Sequence, residues 1–226
     1  MTEMRESRDG ILIINKPAGL TSHDVVNSVR KKFHMRRVGH AGTLDPLATG
    51  VLVILLGHST KLFKEFQSYD KAYRATLKLG VTTHTADIWG KILEIRPYVH
   101  ITEEQIKNVL KQFVGEIEQR PPMVSAVKIG GQRLYKLARQ GLEVERKPRW
   151  IKIHMLSLMN YHPPLVEFYV ECSKGTYIRQ LADDVGRMLG CGACITEIER
   201  TKVGPFVIDD AVNFYNFNES HIRHWP

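Results

Sequence analysis

The sequence has few cysteines and no long apolar stretch. Three cysteines among 226 residues, Cys172, Cys191 and Cys194, exclude a disulfide framework and favour a reducing compartment. The longest apolar run, Val51 to Leu56, is far too short to cross a bilayer. The first nine residues are polar and charged, unlike the apolar core of a signal peptide. We therefore predict a cytoplasmic protein without membrane contact.

The chain also lacks internal repeats, low-complexity tracts and a long linker, which excludes repeat architectures and long disordered segments. What it does contain is 43% hydrophobic residues, enough for one sizeable core. We predict a flexible N-terminal tail over residues 1–8, followed by a single domain over residues 9–226. We expect a monomer.

The charge balance points to a polyanionic partner. The formal net charge is +8 and the sequence pI is about 9.4, values that favour phosphate neutralisation with release of counterions. A merely solvated basic surface is the alternative. Five cations fall within eight positions, namely Arg30, Lys31, Lys32, Arg36 and Arg37. We treat Arg36 and Arg37 as candidate phosphate contacts because they stand just before the most informative loop of the sequence.

Apolar periodicity predicts a mixed α/β fold. Ile11 to Ile14 and Val51 to Leu56 have the pattern of buried strands, and Tyr73 to Leu79 alternates as a strand with one buried face. Thr21 or Ser22 and Thr102 are candidate helix caps, and residues 178–189 have helical spacing. Because strands and helices interleave irregularly, regular βαβ winding is not expected.

The segment from Gly39 to Gly50 carries a single carboxylate, Asp45, before the rigid Pro46. Loops held by a scaffold are a common place for catalytic groups. An aspartate flanked by Leu44 and Leu47 would be partly desolvated, which raises its reactivity unless a cation compensates. An Asx-type turn is the structural alternative, and a lone Asp-Pro pair favours it.

The whole pattern resembles the TruB family of tRNA pseudouridine synthases over roughly residues 10–210. The matching segments, in the family's order, are Lys16–Ser22, Gly39–Gly50, Lys71–Ala75, Arg120–Lys128, Cys172–Arg179 and Arg200–Phe206. The resemblance implies a pseudouridine synthase fold, with a mostly antiparallel central sheet, flanking helices and an insertion that closes over RNA. It also implies isomerisation of uridine 55 in the T loop of tRNA, by base flipping and without a cofactor or metal.

Carried over by resemblance, Asp45 is the catalytic carboxylate. It assists cleavage of the C1′–N1 bond of uridine and rejoining through C5. Attack on the sugar, attack on the ring and removal of a sugar proton all remain open. Tyr73 is a candidate for stacking on uracil and for a proton step at C5, against the commoner role of an ordinary strand aromatic. Arg179 is a candidate partner that keeps Asp45 ionised, against a solvated arginine at a helix start.

Five further features complete the prediction. The resemblance makes His40 a wedge in the space left by the flipped base, where a loop histidine bonded to backbone is the alternative. Tyr177 is a uracil contact or plain core, and Lys16 a structural or phosphate-side partner near the site. The C-x-x-C pair of Cys191 and Cys194 has no companion ligands for zinc and is interpreted as packing. Relatives usually continue into a small C-terminal RNA-binding domain, which is expected to be absent here.

Two alternatives stay open. One is a relative guided by a small RNA to ribosomal sites, together with partner proteins. The other is an RNA-binding or tRNA-folding module without chemistry. The predicted partner in the leading hypothesis is the T-arm stem-loop of tRNA, which we expect to be modified in isolation.

Overall fold

The computed structural model describes residues 9–125, 128–129, 131–134, 137, 140, 142 and 144–225. The predicted tail over residues 1–8 lies outside these residues, as do several residues of the insertion that the resemblance implies around Pro121 to Arg149. The chain forms two compact units. Unit 1 comprises Met1–Tyr73 and Glu199–Pro226, and unit 2 comprises Arg74–Ile198.

The helices and strands are numbered in chain order. The helices are α1 (Ser22–Phe33), α2 (Phe63–Ser68), α3 (Glu103–Gln112) and α4 (Ile178–Met188). The strands are β1 (Gly10–Lys16), β2 (Val38–Ala41), β3 (Thr49–Leu56), β4 (Lys71–Leu79), β5 (Val81–Thr83), β6 (Ile92–Ile95), β7 (Gly115–Gln119), β8 (Lys128–Ile129), β9 (Gln132–Arg133), β10 (Arg149–His162), β11 (Leu165–Cys172), β12 (Ala193–Val203), β13 (Phe206–Val207) and β14 (Val212–Asn213). Short 3-10 turns cover Gly57–Leu62, Ile208–Asp210 and Glu219–His221.

Unit 1 is built on the strand order β14-β1-β3-β12-β4, with β2 paired to β3 and β13 to β12. Strands β1 and β3 are antiparallel in continuous register from Gly10↔Leu56 to Lys16↔Gly50. Strand β12 joins β3 in parallel through Arg200↔Gly50. The buried core of this unit includes alternating residues of β1 and β3 together with Phe66 and Phe206. Helix α1 buries Val25, Val26, Val29 and Phe33, the residues whose helical spacing the sequence shows.

Unit 2 carries the strand order β12-β4-β11-β10-β7. Strands β10 and β11 form a long antiparallel hairpin, and β7 pairs antiparallel with β10. Helix α3 buries Ile106 and Leu110, and α4 buries Ile178, Leu181, Ala182 and Val185. Strands β8 and β9 form a short hairpin in the described part of the predicted insertion.

The predicted fold class is confirmed as mixed α/β with a mostly antiparallel sheet. The β1–β14 and β3–β12 pairings are parallel, and the β1–β3, β2–β3, β7–β10, β10–β11 and β12–β13 pairings are antiparallel. Helix caps follow the local sequence. Thr21 and Asp24 form a reciprocal capping box at α1, and Thr102 and Gln105 form one at α3. Among the described residues, the helices are too short or too polar to span a membrane.

Candidate active site

Asp45 lies in the loop that joins β2 to β3 in unit 1, and its side chain is half-buried. The loop is braced by backbone hydrogen bonds. The N–H of Ala48 donates to the carbonyl of Asp45 at 3.0 Å, and the N–H of Gly19 donates to the carbonyl of Pro46 at 2.8 Å. The neighbouring Leu44 is buried, and the hydroxyl of Ser22 at the start of α1 bonds to its backbone. The carboxylate is therefore presented by a loop with fixed backbone positions on both sides.

Lys16, at the end of β1, is a fully buried cation next to this loop, with 0% of its surface exposed. Its Nζ donates to the carbonyls of Pro17 and Leu20 at 2.8 Å, and to that of Pro46 at 3.5 Å. Burial lowers the pKa of Lys16 to about 8. The charge of Arg200 also lowers this pKa, whereas the carboxylate of Asp45 raises it. Lys16 thus ties the turn after β1 to the residue that follows Asp45.

Arg200, on β12, is a second buried cation and is 1% exposed. Its Nε donates to the carbonyl of Val51 at 2.8 Å, and its Nη2 donates to that of Gly42 at 3.0 Å. The same guanidinium hydrogen-bonds to the side chain of Tyr73 and interacts electrostatically with Asp45. Burial lowers the pKa of Arg200, and its interactions with Tyr73 and Asp45 oppose that shift.

Tyr73 and His40 complete the cluster in unit 1. Tyr73 is 9% exposed near the start of β4. His40 is half-buried on β2, its Nδ1 is shielded from solvent, and its imidazole ring hydrogen-bonds to the backbone of Gly42. Burial lowers the pKa of His40, and the positive charge of Arg200 lowers it further. The imidazole is therefore neutral near pH 7, a state suited to stacking among bases.

Arg36 and Arg37 are exposed in the segment that joins α1 to β2. The Nε of Arg37 donates to the hydroxyl of Thr60 at 2.8 Å. Both cations belong to unit 1, as Asp45 does. Their exposure agrees with contact to phosphates and equally with a solvated surface, so their assignment stays a prediction.

Arg179 and Tyr177 belong to unit 2, at the start of α4. Arg179 is 3% exposed, and its Nη1 donates to the carbonyl of Thr85 at 2.7 Å and meets Asp87 Oδ2 at 3.4 Å. Its Nη2 donates to the carbonyl of Val124 at 2.9 Å. Arg179 is thus a structured, buried cation rather than a solvated arginine at a helix start.

Tyr177 is half-buried at the N-cap position of α4. Its backbone N–H donates to the Oε1 of Gln119 at 2.8 Å, and its carbonyl accepts from the Nε2 of Gln119 at 3.1 Å. This pair of bonds fixes the backbone that carries the tyrosine ring.

In unit 1, the fold brings four of the predicted residues together around one buried guanidinium, namely Lys16, His40, Asp45 and Tyr73. Arg179 and Tyr177 are held in unit 2, so the pairing of Arg179 with Asp45 stays a prediction. Cys191 and Cys194 are buried free thiols, as packing predicts. Within the described ranges, no group of three or more His, Cys, Asp or Glu residues could hold a metal ion.

Two site residues were not singled out from the sequence, Arg200 and Asp87. Arg200 belongs to the last motif segment. The backbone carbonyls that accept its hydrogen bonds lie about 150 positions earlier in the chain. Asp87 accepts from the hydroxyl of Thr85 at 2.8 Å and from the N–H of Trp89 at 3.1 Å, in addition to meeting Arg179. A local Thr-x-Asp pattern was the one available signal for Asp87.

Comparison with protein families gives two matches. Residues 30–178 match the TruB family pseudouridylate synthase (N terminal domain). Residues 179–224 match the tRNA pseudouridylate synthase B C-terminal domain. The two matches are contiguous and together cover most of the chain.

Curated relatives agree with this assignment. The chain is 49% identical over 215 residues to tRNA pseudouridine synthase B of Clostridium tetani, covering 95% of this chain and 74% of the relative. It is 50% identical over 204 residues to tRNA pseudouridine synthase B of Syntrophotalea carbinolica, covering 90% of this chain and 67% of the relative.

Solved structures give the same fold. A Cbf5-Nop10-Gar1 complex contains a chain with 32% identity and a TM-score of 0.73, matched over 92% of this chain and 53% of that one. An H/ACA RNP bound to a substrate RNA containing 2′-deoxyuridine contains a chain with 28% identity and a TM-score of 0.69, matched over 92% and 52%. This chain therefore spans about half the length of those two proteins.

Proposed function

Because the chain belongs to the TruB family of pseudouridylate synthases, we propose that it isomerises uridine 55 in the T loop of tRNA to pseudouridine. The observation that carries the proposal is the half-buried Asp45, presented by a braced loop beside two fully buried cations, Lys16 and Arg200. Buried charges are expensive unless they are paired, so a cluster of this kind is typical of a functional site.

The reaction is balanced within the substrate itself. The C1′–N1 bond of uridine breaks, the detached uracil turns while still bound, and a C1′–C5 bond forms. C5 then loses its proton and N1 gains one, so no atom enters or leaves overall. A single carboxylate can stabilise the positive charge that develops at C1′, and Asp45 is the candidate for that role. Tyr73 is the candidate to stack on the uracil and carry the C5 proton.

Arg179 is proposed to pair with Asp45 and keep it ionised. Its two Nη atoms are fixed by the carbonyls of Thr85 and Val124 and by Asp87, which preorganises the guanidinium. The negative charge of Asp87 offsets part of the desolvation of Arg179. A guanidinium held in this way could orient a carboxylate without reorganisation during the reaction.

The other assigned residues act on the RNA. His40 is proposed to enter the space left by the flipped uridine, which offsets part of the loss of base stacking. Tyr177 is proposed to contact the uracil, and Arg36 and Arg37 to contact phosphates of the T-arm. Lys16 holds the turn next to Asp45. The proposal includes a monomer acting in the cytoplasm, without a cofactor, metal or membrane.

The test is to incubate the purified protein alone with unmodified tRNA, and separately with an isolated T-arm stem-loop, and to map pseudouridine by chemical labelling. We expect conversion at position 55 in both RNAs. The Asp45→Asn variant should fall to about one thousandth of the wild-type rate or less, because the carboxylate is lost with little change in shape. The matched control is Asp209→Asn, which changes an exposed aspartate of the same unit.

The outcomes separate the hypotheses. Product formed without a guide RNA or partner proteins contradicts the guided alternative. RNA binding without any pseudouridine supports the binding-module alternative. Activity that survives Asp45→Asn removes Asp45 from the mechanism.

A further inference from the structure

We propose that Arg200 is a positioning residue that locks the aspartate loop and Tyr73 in one arrangement, an inference that rests on the proposed function. The first observation is its burial. Among the described residues, Arg200 has the largest fully buried side chain. A buried guanidinium is nevertheless among the costliest groups to desolvate. A well-packed apolar residue would stabilise a β-sheet core as well or better. The retained charge therefore needs an explanation outside stability.

The hydrogen bonds of Arg200 span the loop that carries Asp45. The guanidinium reaches the carbonyls of Gly42 and Thr43 before Asp45 and the carbonyl of Val51 after it, at 3.0, 3.4 and 2.8 Å. All three acceptors are backbone atoms. The planar fork of arginine can reach divergent carbonyls at the same time, whereas the single ammonium of a lysine cannot do so in the same geometry.

Two glycines, one at each end of the segment that carries Asp45, lie close to Arg200. A Cβ on Gly50 would lie 2.3 Å from the backbone oxygen of Arg200, and one on Gly42 would lie 3.5 Å from Nη1. Both glycines have positive φ, 98° and 87°. The loop backbone thus approaches the arginine at both ends of the segment that presents the carboxylate.

The same guanidinium also hydrogen-bonds to Tyr73. One side chain therefore joins the candidate carboxylate loop to the candidate stacking ring, although these come from different strands. The charged and titratable groups of unit 1 around Arg200 are Lys16, His40, Asp45, Lys71 and Tyr73. With Arg200 removed, Asp45 keeps Lys16 as a nearby cation of this unit. It loses the guanidinium that is hydrogen-bonded to the carbonyls of its own loop.

The test compares Arg200→Met and Arg200→Lys with Lys202→Met, which removes an exposed cation from the same strand. Single-turnover rates and the dissociation constant are measured on the T-arm stem-loop. For Arg200→Met we expect at least about a hundredfold loss of rate with RNA binding within about threefold.

The lysine variant separates charge from geometry. Arg200→Lys should lose about tenfold in rate, because the bonds to the loop carbonyls are lost although the positive charge is kept. Lys202→Met should behave as wild type. A wild-type rate in either Arg200 variant overturns the inference, as does a loss of RNA binding as large as the loss of rate.

Amide hydrogen exchange provides a readout that is independent of activity. If Arg200 holds the loop, peptides that cover residues 42–51 should exchange at least about tenfold faster in Arg200→Lys, while peptides from β1 stay unchanged. This measurement decides the matter even if Arg200→Met fails to fold. A wild-type protein without activity contradicts the proposed function, whereas unchanged exchange in the loop contradicts the role of Arg200.

Discussion

The hydroxyl of Ser22, the first residue of α1, bonds to both backbone groups of Leu44: it accepts from the N–H at 2.8 Å and donates to the carbonyl at 3.1 Å. Leu44 immediately precedes Asp45, so the start of a helix and the loop that carries Asp45 are joined by one buried side chain. Ser22 directly follows the cap residue Thr21, so its hydroxyl links the first turn of α1 to the backbone next to the carboxylate.

Replacing Ser22 with alanine should therefore affect catalysis more than RNA binding. The variant leaves two buried backbone groups of Leu44 without this partner, a loss of about 1–3 kcal/mol. We expect a single-turnover rate about tenfold lower with an unchanged dissociation constant for the T-arm stem-loop. Ser28→Ala is the control, because Ser28 bonds only locally within the same helix, to the carbonyl of Asp24. Equal rates for the two variants would show that the Ser22 bonds do not position the loop.

The buried pair of Asp87 and Arg179 should matter far more for stability than a shorter pair at the surface. Asp87→Ala removes a buried carboxylate that interacts with the guanidinium of Arg179, and we expect a loss of about 3 kcal/mol in the free energy of unfolding. Glu94→Ala removes the partner of Arg96 from a 2.6 Å pair whose side chains are 48% and 49% exposed. That loss should be below about 1 kcal/mol.

Urea denaturation followed by circular dichroism measures both losses. If Glu94→Ala proved as destabilising as Asp87→Ala, distance rather than burial would decide the strength of these pairs. The Asp87 variant should also lose pseudouridine formation, since the guanidinium proposed to pair with Asp45 would no longer be fixed on one side.

Local sequence sufficed for helices α1, α3 and α4 and for the longer apolar strands, but not for α2 or for strand β2, which lies within the segment predicted as a loop. The capping residues Thr21 and Thr102 act within three positions of themselves, so the sequence predicts both helix starts correctly. The alternation from Tyr73 to Leu79 likewise marks the buried face of β4. The remaining site residues, including Asp45, were assigned from the resemblance to the family motifs.

Long-range polar contacts could not be predicted in this way. Arg200 occupies a strand whose letters, Glu-Arg-Thr-Lys, look uniformly polar, yet it faces inward because carbonyls more than a hundred positions away accept its hydrogen bonds. The sequence predicts Asp45 as the partner of Arg179. The structure shows that the guanidinium bonds to Asp87 and to two backbone carbonyls, which the sequence did not predict. Such contacts depend on the sheet order, which periodicity does not specify.

Lys16 predicts a pH dependence of stability. Burial lowers its folded-state pKa to about 8 from 10.5, so between these values the unfolded chain binds more protons than the folded protein. Stability contributed by this site should therefore rise with pH from about 8 to 10.5 and be constant below that window. We expect the difference in the free energy of unfolding between wild type and Lys16→Met to grow in favour of wild type over this range.

The measurement is a series of denaturant titrations of the two proteins from pH 6 to 10.5. Subtracting one curve from the other removes the contributions of groups that titrate alike in both. The slope of the difference should approach but not exceed about 1.4 kcal/mol per pH unit, the value for a single proton. A difference that stays flat from pH 8 to 10.5 would mean that Lys16 keeps its proton as easily in the folded protein as in the unfolded chain.

Gly50 tests the close approach of Arg200 to the loop. Gly50→Ala would place a methyl group 2.3 Å from the backbone oxygen of Arg200, in addition to the strain of a φ of 98°. The matched control is Gly19→Ala, which has a similar φ of 88° and nothing within 4 Å of the added carbon. Strain alone should cost the control about 1–2 kcal/mol.

We expect Gly50→Ala to lose at least about twice as much stability as the control, because the clash forces β3 away from β12 at the residue pair Arg200 and Gly50. Thermal unfolding of the two variants measures this directly, at about 2–4 °C per kcal/mol for a chain of this size. Pseudouridine formation should fall further in Gly50→Ala than in the control, since the Arg200 bonds to the loop shift with the strand. Equal melting temperatures would mean that β3 and β12 can separate at this residue pair without loss of stability.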